Sequence, residues 1–359
     1  MTRFHTSRIA WVAVLAVAAA LPVAAAAAPA AAATTYTITD LGSLGGGVTR
    51  GLAINASGQV TGDSVSSQLI QVPCPPQKYG QPKKCFTHPD DAFVWSNGTM
   101  TDLGNLGGNF SQGVAINGSG EVVGSSSGKD TGTGGAFLSN GHGMHQLSAP
   151  AEAYGINDSD QIAGQCRNSM FLQGYTCVVS SNGAITALTE SNPSIECLYI
   201  NTIIPANIPA AVAINNNGQV LGNCFYSAGG LAVVWTNDIP TVLPTLGGVA
   251  SSGTAINNLG QVVGSSETSA GAEDGFLWSN GTMTDLGSTF SPAAINDSGV
   301  IVGGQFVYNG TLQNLNTLIP QGSGYQIQSA TGINDNGQIV ANATDTATGQ
   351  THALLLNPS

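Results

Sequence analysis

Residues 53–62 read Ala-Ile-Asn-Ala-Ser-Gly-Gln-Val-Thr-Gly, and residues 255–264 read Ala-Ile-Asn-Asn-Leu-Gly-Gln-Val-Val-Gly. The same core, Ala/Gly-Ile-Asn-x-x-Gly-Gln-Val-x-Gly, recurs with few substitutions at Ala115–Gly124, Gly155–Gly164, Ala213–Gly222, Ala294–Gly303 and Gly332–Ala341. Its asparagines, Asn55, Asn117, Asn157, Asn215, Asn257, Asn296 and Asn334, are spaced by 62, 40, 58, 42, 39 and 38 residues. Self-similarity near this period marks a repeat architecture, in which each unit buries its apolar surface against the next.

Each copy divides into four short strands. Strand A ends in Ile-Asn and strand B is the Gln-Val-x-Gly segment. Between them Asn-x-x-Gly makes a tight turn, the asparagine capping it and the glycine supplying positive φ. Copy three has Asp160 at the glycine position, and aspartate tolerates that conformation better than most residues. Strand C is an apolar-aromatic run such as Ala92 to Trp95, followed by Asn97-Gly98 or its equivalents, the dipeptide that favours two-residue hairpins. Strand D follows, as in Met100 to Leu103, and several copies leave through Leu-Gly-Gly, at Leu44, Leu106 and Leu246.

Four antiparallel strands at this period predict an all-β fold, a seven-bladed β-propeller of four-stranded blades. Copy seven ends at His352 to Leu356, which reads as strand C, with no strand D after it. Tyr36 to Leu41, ahead of copy one, matches strand D. The N-terminal strand is therefore expected to complete the last blade and close the ring.

The first 33 residues carry Arg3 and Arg8, an apolar run from Ile9 to Leu21, Pro22 and an alanine tract with small-x-small cleavage sites. This is the pattern of a secretory signal peptide, leaving a single repeat domain over 34–359 that is secreted, extracellular or periplasmic. An uncleaved membrane anchor is the alternative; no cysteine lies near the cleavage region to anchor a lipid, and no later segment is long and apolar enough to span. The whole chain carries −12, and losing two arginines with the leader leaves −14, which disfavours nucleic acid as a partner.

The combination of Ala-Ile-Asn-x-x-Gly-Gln-Val-Val-Gly, an Ala-Phe-x-Trp strand and Met-x-Asp-Leu-Gly-x-Leu-Gly-Gly resembles the exported bacterial HAF-repeat family, named for His-Ala-Phe. The tripeptide is degenerate here: Asp91-Ala92-Phe93, Gly135-Ala136-Phe137 and His352-Ala353-Leu354. The resemblance covers Tyr36 to Leu356 and implies export and a bacterial source, without catalytic residues to carry over.

An even number of cysteines in an exported chain argues for disulfides. The expected pairs are Cys74 with Cys85, Cys166 with Cys177, and Cys197 with Cys224. A metal site is the alternative, without Cys-x-x-Cys spacing to support it.

Motifs that imitate chemistry have plainer readings. Gly124-Ser125-Ser126-Ser127-Gly128 has the spacing of a hydrolase elbow, but it leaves strand B for a loop with no helix to follow. Gly128-Lys129-Asp130 lacks the spacing of a phosphate loop. His142 and His145 sit around a hairpin turn. Asn157-Asp158-Ser159-Asp160, Asn296-Asp297-Ser298 and Asn334-Asp335-Asn336 offer oxygens of the kind calcium takes, yet turn capping accounts for them. No cofactor is called for.

The A–B and C–D turns are tight, whereas every long segment is a B–C or D–A connection, so variation is concentrated on one face. The basic residues Arg50, Lys78, Lys83, Lys84, Lys129 and Arg167 lie in or beside those connections and are the candidate ligand-binding residues. The expected role is a monomeric extracellular binding module for a glycan or a protein. The alternatives are a propeller enzyme (lyase, lactonase or glycosidase) with its site at the central channel mouth, and a structural matrix protein.

Overall fold

A computed structural model describes residues 34–72, 85–129, 134–141, 143–167, 174–188, 210–226 and 229–359. The copies form four-stranded antiparallel sheets in the order A-B-C-D. Copy one holds Gly45–Ile54, Val60–Ser66, Asp90–Ser96 and Thr99–Gly104; copy two Gly107–Ile116, Val122–Gly128, Gly134–Ser139 and Met144–Gln146; copy three Glu152–Ile156, Ile162–Arg167, Gly174–Val179 and Ile185–Ala187. Copy four holds Ala210–Ile214, Val220–Tyr226, Gly229–Thr236 and Ile239–Val242; copy five Gly247–Ile256, Val262–Thr268, Glu273–Ser279 and Thr282–Gly287; copy six Ala294–Ile295, Ile301–Gly303, Phe306–Tyr308 and Leu312–Asn314. A single parallel bridge, Asp90 to Phe110, links the sheets of copies one and two.

Copy seven holds Tyr325–Ile333, Ile339–Asp345 and Thr351–Pro358, and its fourth strand is Tyr36–Asp40. Ile38 lies opposite Leu356 and Asp40 opposite Leu354, the pairing read from the missing strand D. A side-chain clasp reinforces it. Asp40 Oδ2 accepts from the Tyr325 hydroxyl at 2.7 Å and lies 2.9 Å from His352 Nδ1, while Oδ1 accepts from the Gly42 amide at 2.9 Å. The histidine of the His-Ala tripeptide is thus partnered by the aspartate of the Asp-Leu strand.

Strand B explains how the sheets pack. Neighbouring side chains on a strand point to opposite faces, so consecutive buried apolar residues mean that both faces are covered. Val122 packs with Ala92 and Phe137 between copies one and two, and Val123 with Ala153 and Ile162 between copies two and three. Ile339 and Val340 do the same on either side of copy seven, Val340 meeting Val60, Phe93 and Trp95 of copy one. The core therefore lies between adjacent sheets. The first strands touch in chain order, and that of copy seven touches that of copy one.

In six copies the residue closing Gln-Val-x-Gly is a glycine lying against the backbone of strand A or of the residues just before it, while copy seven has Ala341 there. Strand A has a bulge opposite it, and a Cβ on Gly62 would sit 1.9 Å from the Arg50 carbonyl oxygen, one on Gly124 1.9 Å from that of Gln112.

The motif asparagines do more than cap. Asn257 is buried; its Oδ1 accepts from the amides of Leu259 and Gln261, and its Nδ2 donates to Gln261 Oε1 and to the Asn296 carbonyl of the next copy. The inter-copy bond repeats from Asn55 to Asn117, on through Asn157 and Asn215 to Asn257, then from Asn296 to Asn334, and Asn334 donates back to the Asn55 carbonyl.

The next residue in each copy adds a partial outer series. Gly118 N–H donates to Asp158, Asp158 to Asn216, Asn216 to Asn258, Asn258 to Asp297 and Asp297 to Asp335, at 2.6 to 3.0 Å. The aspartates read as calcium-like in sequence thus accept amide protons from the preceding copy. The series stops at Ala56, which has no side-chain acceptor for the Asp335 amide. Ala56→Asn at this exposed position is expected to add about 0.5–1.5 kcal/mol of stability, read as a higher urea midpoint with unchanged slope. An unchanged or lower midpoint would show that the geometry does not extend to copy one.

Three sequence readings are corrected. Gly124–Gly128 lies within strand Val122–Gly128 rather than in a loop, and Ser126 is buried, accepting from the Leu106 amide at 2.9 Å. The insert after strand B of copy one contains a hairpin, Ile70–Val72 with Cys85–Thr87. A four-residue helix, Leu315–Leu318, buries Leu315 and Leu318 after copy six, where no helix was expected.

Candidate functional site

The face bearing the B–C and D–A connections carries a cavity of about 670 Å³ between the sheets of copies two and three. Two local features border it. The first strands of copies one, two and five run ten residues, beginning within Leu-Gly-Gly, whereas Glu152–Ile156 has five and is preceded by Ser148-Ala149-Pro150-Ala151. Elsewhere the longer strand supplies a serine to strand C of the preceding sheet: Ser111 Oγ accepts from the Ala92 amide and Ser251 Oγ from that of Ala232. Here the Ala136 amide donates to the Ala151 carbonyl instead. Strand C also lacks side chains at Gly134 and Gly135, the latter at the tripeptide position held by Asp91, Asp274 and His352.

Copy three contributes Glu152 and Tyr154 on its first strand; copy two contributes Gln112 and Val114 on its first, Ser125 on its second and Gln146 on its fourth. The Tyr154 hydroxyl donates to Glu152 Oε2. Burial together with that carboxylate pushes the phenol up to about 12, so Tyr154 acts as a hydrogen-bond donor. Gln112 Nε2 donates to Asp63 Oδ1 at 2.8 Å and Gln146 Nε2 to the Gly134 carbonyl at 3.0 Å.

Asp63 ties this region to copy one. Its side chain is buried, and Arg50 Nη1 contacts Oδ2 at 2.7 Å. A carboxylate removed from water needs such partners, and here it has a guanidinium and an amide. Burial and the charge of Asp63 push the nearby Asp90 carboxyl up, against the opposing pull of Arg50.

Of the basic residues selected from sequence, those within the described residues, Arg50, Lys129 and Arg167, stand on copies one, two and three. Arg50 stands within the first strand of copy one, engaged by Asp63, because that strand continues beyond its Leu-Gly-Gly entry. Lys129 is exposed after strand Val122–Gly128, and Arg167 ends strand Ile162–Arg167. Lys78, Lys83 and Lys84 lie outside the described residues, as does His142. Glu152, Tyr154, Gln112 and Gln146 were missed; the available signal was the absence of Leu-Gly-Gly before copy three.

Cys166 and Cys177 form a disulfide, as expected. Cys85 and Cys224 are also disulfide-bonded, while Cys74 and Cys197 lie outside the described residues. Disulfides belong to oxidising compartments. Among the described residues no helix is long and apolar enough to cross a membrane, and no three or more His, Cys, Asp or Glu side chains group as a metal would require.

A second, shallower depression of about 200 Å³ is lined by the Ile-Asn-x segments on the tight-turn side. Its amides and carboxylates are engaged with one another in the bonds described above.

Residues 137–353 match the model of a family described as protein of unknown function (DUF3466). No curated protein matches the chain in sequence. Among solved structures, the chain is similar to the β-propeller domain of the Trilobed protease from Pyrococcus furiosus, described as having an open velcro topology. That match has a TM-score of 0.50 and 6% identity over 90% of this chain and 97% of the other. It is likewise similar to YCF48 bound to D1 peptide, with a TM-score of 0.50 and 10% identity over 92% and 97% of the two chains. At these identities the likeness is one of fold, and the fold is all-β and propeller-like.

Proposed function

We propose a role for this chain from its own surface, because it belongs to the DUF3466 family, a family of unknown function that supplies no activity to carry over. The chain is an exported binding module: a seven-bladed propeller, closed by its N-terminal strand, that holds a glycan or protein ligand on the face of its B–C and D–A connections. Within the family, the HAF-like repeat is the finer assignment.

The observation that carries this reading is the cavity between copies two and three, opened on the variable face by the shortened Glu152–Ile156 strand. Ligand sites in repeat folds lie where variable connections cluster on a rigid scaffold. The bonds among Asn55, Asn117 and their counterparts support the ring, and the leader and disulfides support export. YCF48, similar in fold, was solved with a peptide bound, so the fold accommodates such a ligand.

Mature protein exposed to arrays of bacterial glycans and of peptides is expected to retain a discrete set of ligands. Substitutions on the variable face (Glu152→Gln, Gln146→Leu) should weaken that retention and Leu259→Ser on the opposite face should leave it intact. Retention of nothing, or retention sensitive only to Leu259→Ser, refutes the binding-face reading.

A further inference from the structure

The cavity between copies two and three has a one-sided hydrogen-bonding character. Gln112 and Gln146 each spend an Nε2–H on a protein acceptor, Asp63 Oδ1 and the Gly134 carbonyl at the cavity wall. Each keeps an Oε1 able to accept from a ligand. The Tyr154 hydroxyl donates a hydrogen bond to Glu152 Oε2, and Oε1 retains its accepting capacity. The polar capacity left over is thus dominated by acceptors, with one full negative charge. Neither of the salt bridges among the described residues involves Glu152. Val114, Ala136, Leu147 and Ala153 supply hydrocarbon wall.

We propose that this cavity binds an ammonium or guanidinium group carried on an aliphatic stem. The inference rests on reading the B–C and D–A face as the binding face and names the chemistry of its ligand. The charged head meets Glu152 and the amide oxygens, whose acceptors match its donors, and the methylenes lie along the apolar wall. The net charge of −14 on residues 34–359 steers cations toward the molecule. Two sources carry this chemistry, a lysine or arginine side chain of a polypeptide and a free polyamine.

The test is calorimetric titration of the mature protein with acetyl-Gly-Gly-Lys-Gly-Gly-amide, spermidine, the glutamate counterpart of the peptide, and chitohexaose. One or both cations should bind, more weakly at high salt, and the glutamate peptide should not. Glu152→Gln should cost about tenfold or more in affinity with the thermal midpoint unchanged, since the carboxylate is exposed. Glu267→Gln, an equal charge change elsewhere on the same face, should cost nothing, and Gln146→Leu should weaken binding independently. Preference for the lysine peptide identifies a polypeptide source; preference for spermidine identifies a polyamine. Failure of both cations to bind, or binding indifferent to Glu152→Gln, overturns the proposal. Chitohexaose binding in place of the cations overturns it too, while leaving the binding-face reading intact.

Discussion

Residues 34–359 lacking Tyr36–Asp40 are expected to unfold at much lower denaturant than the same chain with that strand and to aggregate at concentrations where the latter stays in solution. The strand contributes a five-residue ladder to Thr351–Pro358, buries Tyr36, and carries the Asp40 clasp to Tyr325 and His352. Net backbone bonds contribute about 1 kcal/mol each and a buried aromatic about 2–3 kcal/mol. The loss is therefore on the order of 5 kcal/mol, a large part of an ordinary folding free energy. The exposed edge of Thr351–Pro358 would then offer unpaired amides and carbonyls to other chains. Removing five residues from the insert that the sequence reading places between strands B and C of copy one should instead shift the midpoint little, because connection length enters closure entropy only logarithmically. That control must stop short of Asp90, which already pairs with Val65. Equal loss from the two deletions would refute the closing role of the strand.

The clasp also has a pH signature. Burial tends to raise the Asp40 pKa, but hydrogen bonds from Tyr325, Gly42 and His352, with the attraction of His352, outweigh it and hold the carboxyl below its usual value. A group depressed on folding contributes stability above its unfolded pKa of about 3.9, and that contribution disappears as pH falls through the folded value. The stability gap between the native chain and Asp40→Asn should be full near neutrality and narrow below about pH 4. A gap that stays constant through that window would count against the clasp.

Asn257→Ala is expected to be among the most damaging single substitutions. It leaves the part-buried Leu259 and Gln261 amides without their acceptor and takes from the Asn296 carbonyl one of its two donors, the Gly299 amide remaining. Each stranded amide costs about 1–3 kcal/mol and the lost inter-copy bond about 1 kcal/mol, so a loss of roughly 2–4 kcal/mol is expected after partial relaxation. Asn257→Asp keeps the two amide bonds but replaces the inter-copy donor with a carboxylate oxygen facing a carbonyl, and should also destabilise. Copy six supplies an internal comparison: Val300 stands where other copies have glutamine or glutamate, and Asn296 makes fewer bonds, to the Val300 amide and the Asn334 carbonyl. Asn296→Ala should therefore cost less than Asn257→Ala. Urea denaturation of the three variants checks the order, and an Asn257→Ala midpoint close to that of the native chain would refute the role assigned to the inter-copy bonds.

The repeated Ala-Ile-Asn-x-x-Gly-Gln-Val-x-Gly determined a great deal on its own. Turn chemistry and the repeat period are legible locally, so strand order, the tight-turn face and the use of Tyr36–Asp40 as a missing fourth strand could be read from residue types and offsets. The Cys166–Cys177 pairing was also legible, since both residues flank one hairpin. Other features depend on which atoms meet across a seam between copies, and sequence spacing does not encode that. Whether Asn257 Nδ2 reaches the next copy, whether Arg50 is free or held by Asp63, and that Gln112 reaches Asp63 and Gln146 the Gly134 carbonyl were decided by sheet packing. The cavity beside Glu152 arose the same way. It is made by what copy three lacks, half a first strand, together with what copy two lacks at Gly134 and Gly135, and only their juxtaposition in the tertiary structure turns those absences into a site.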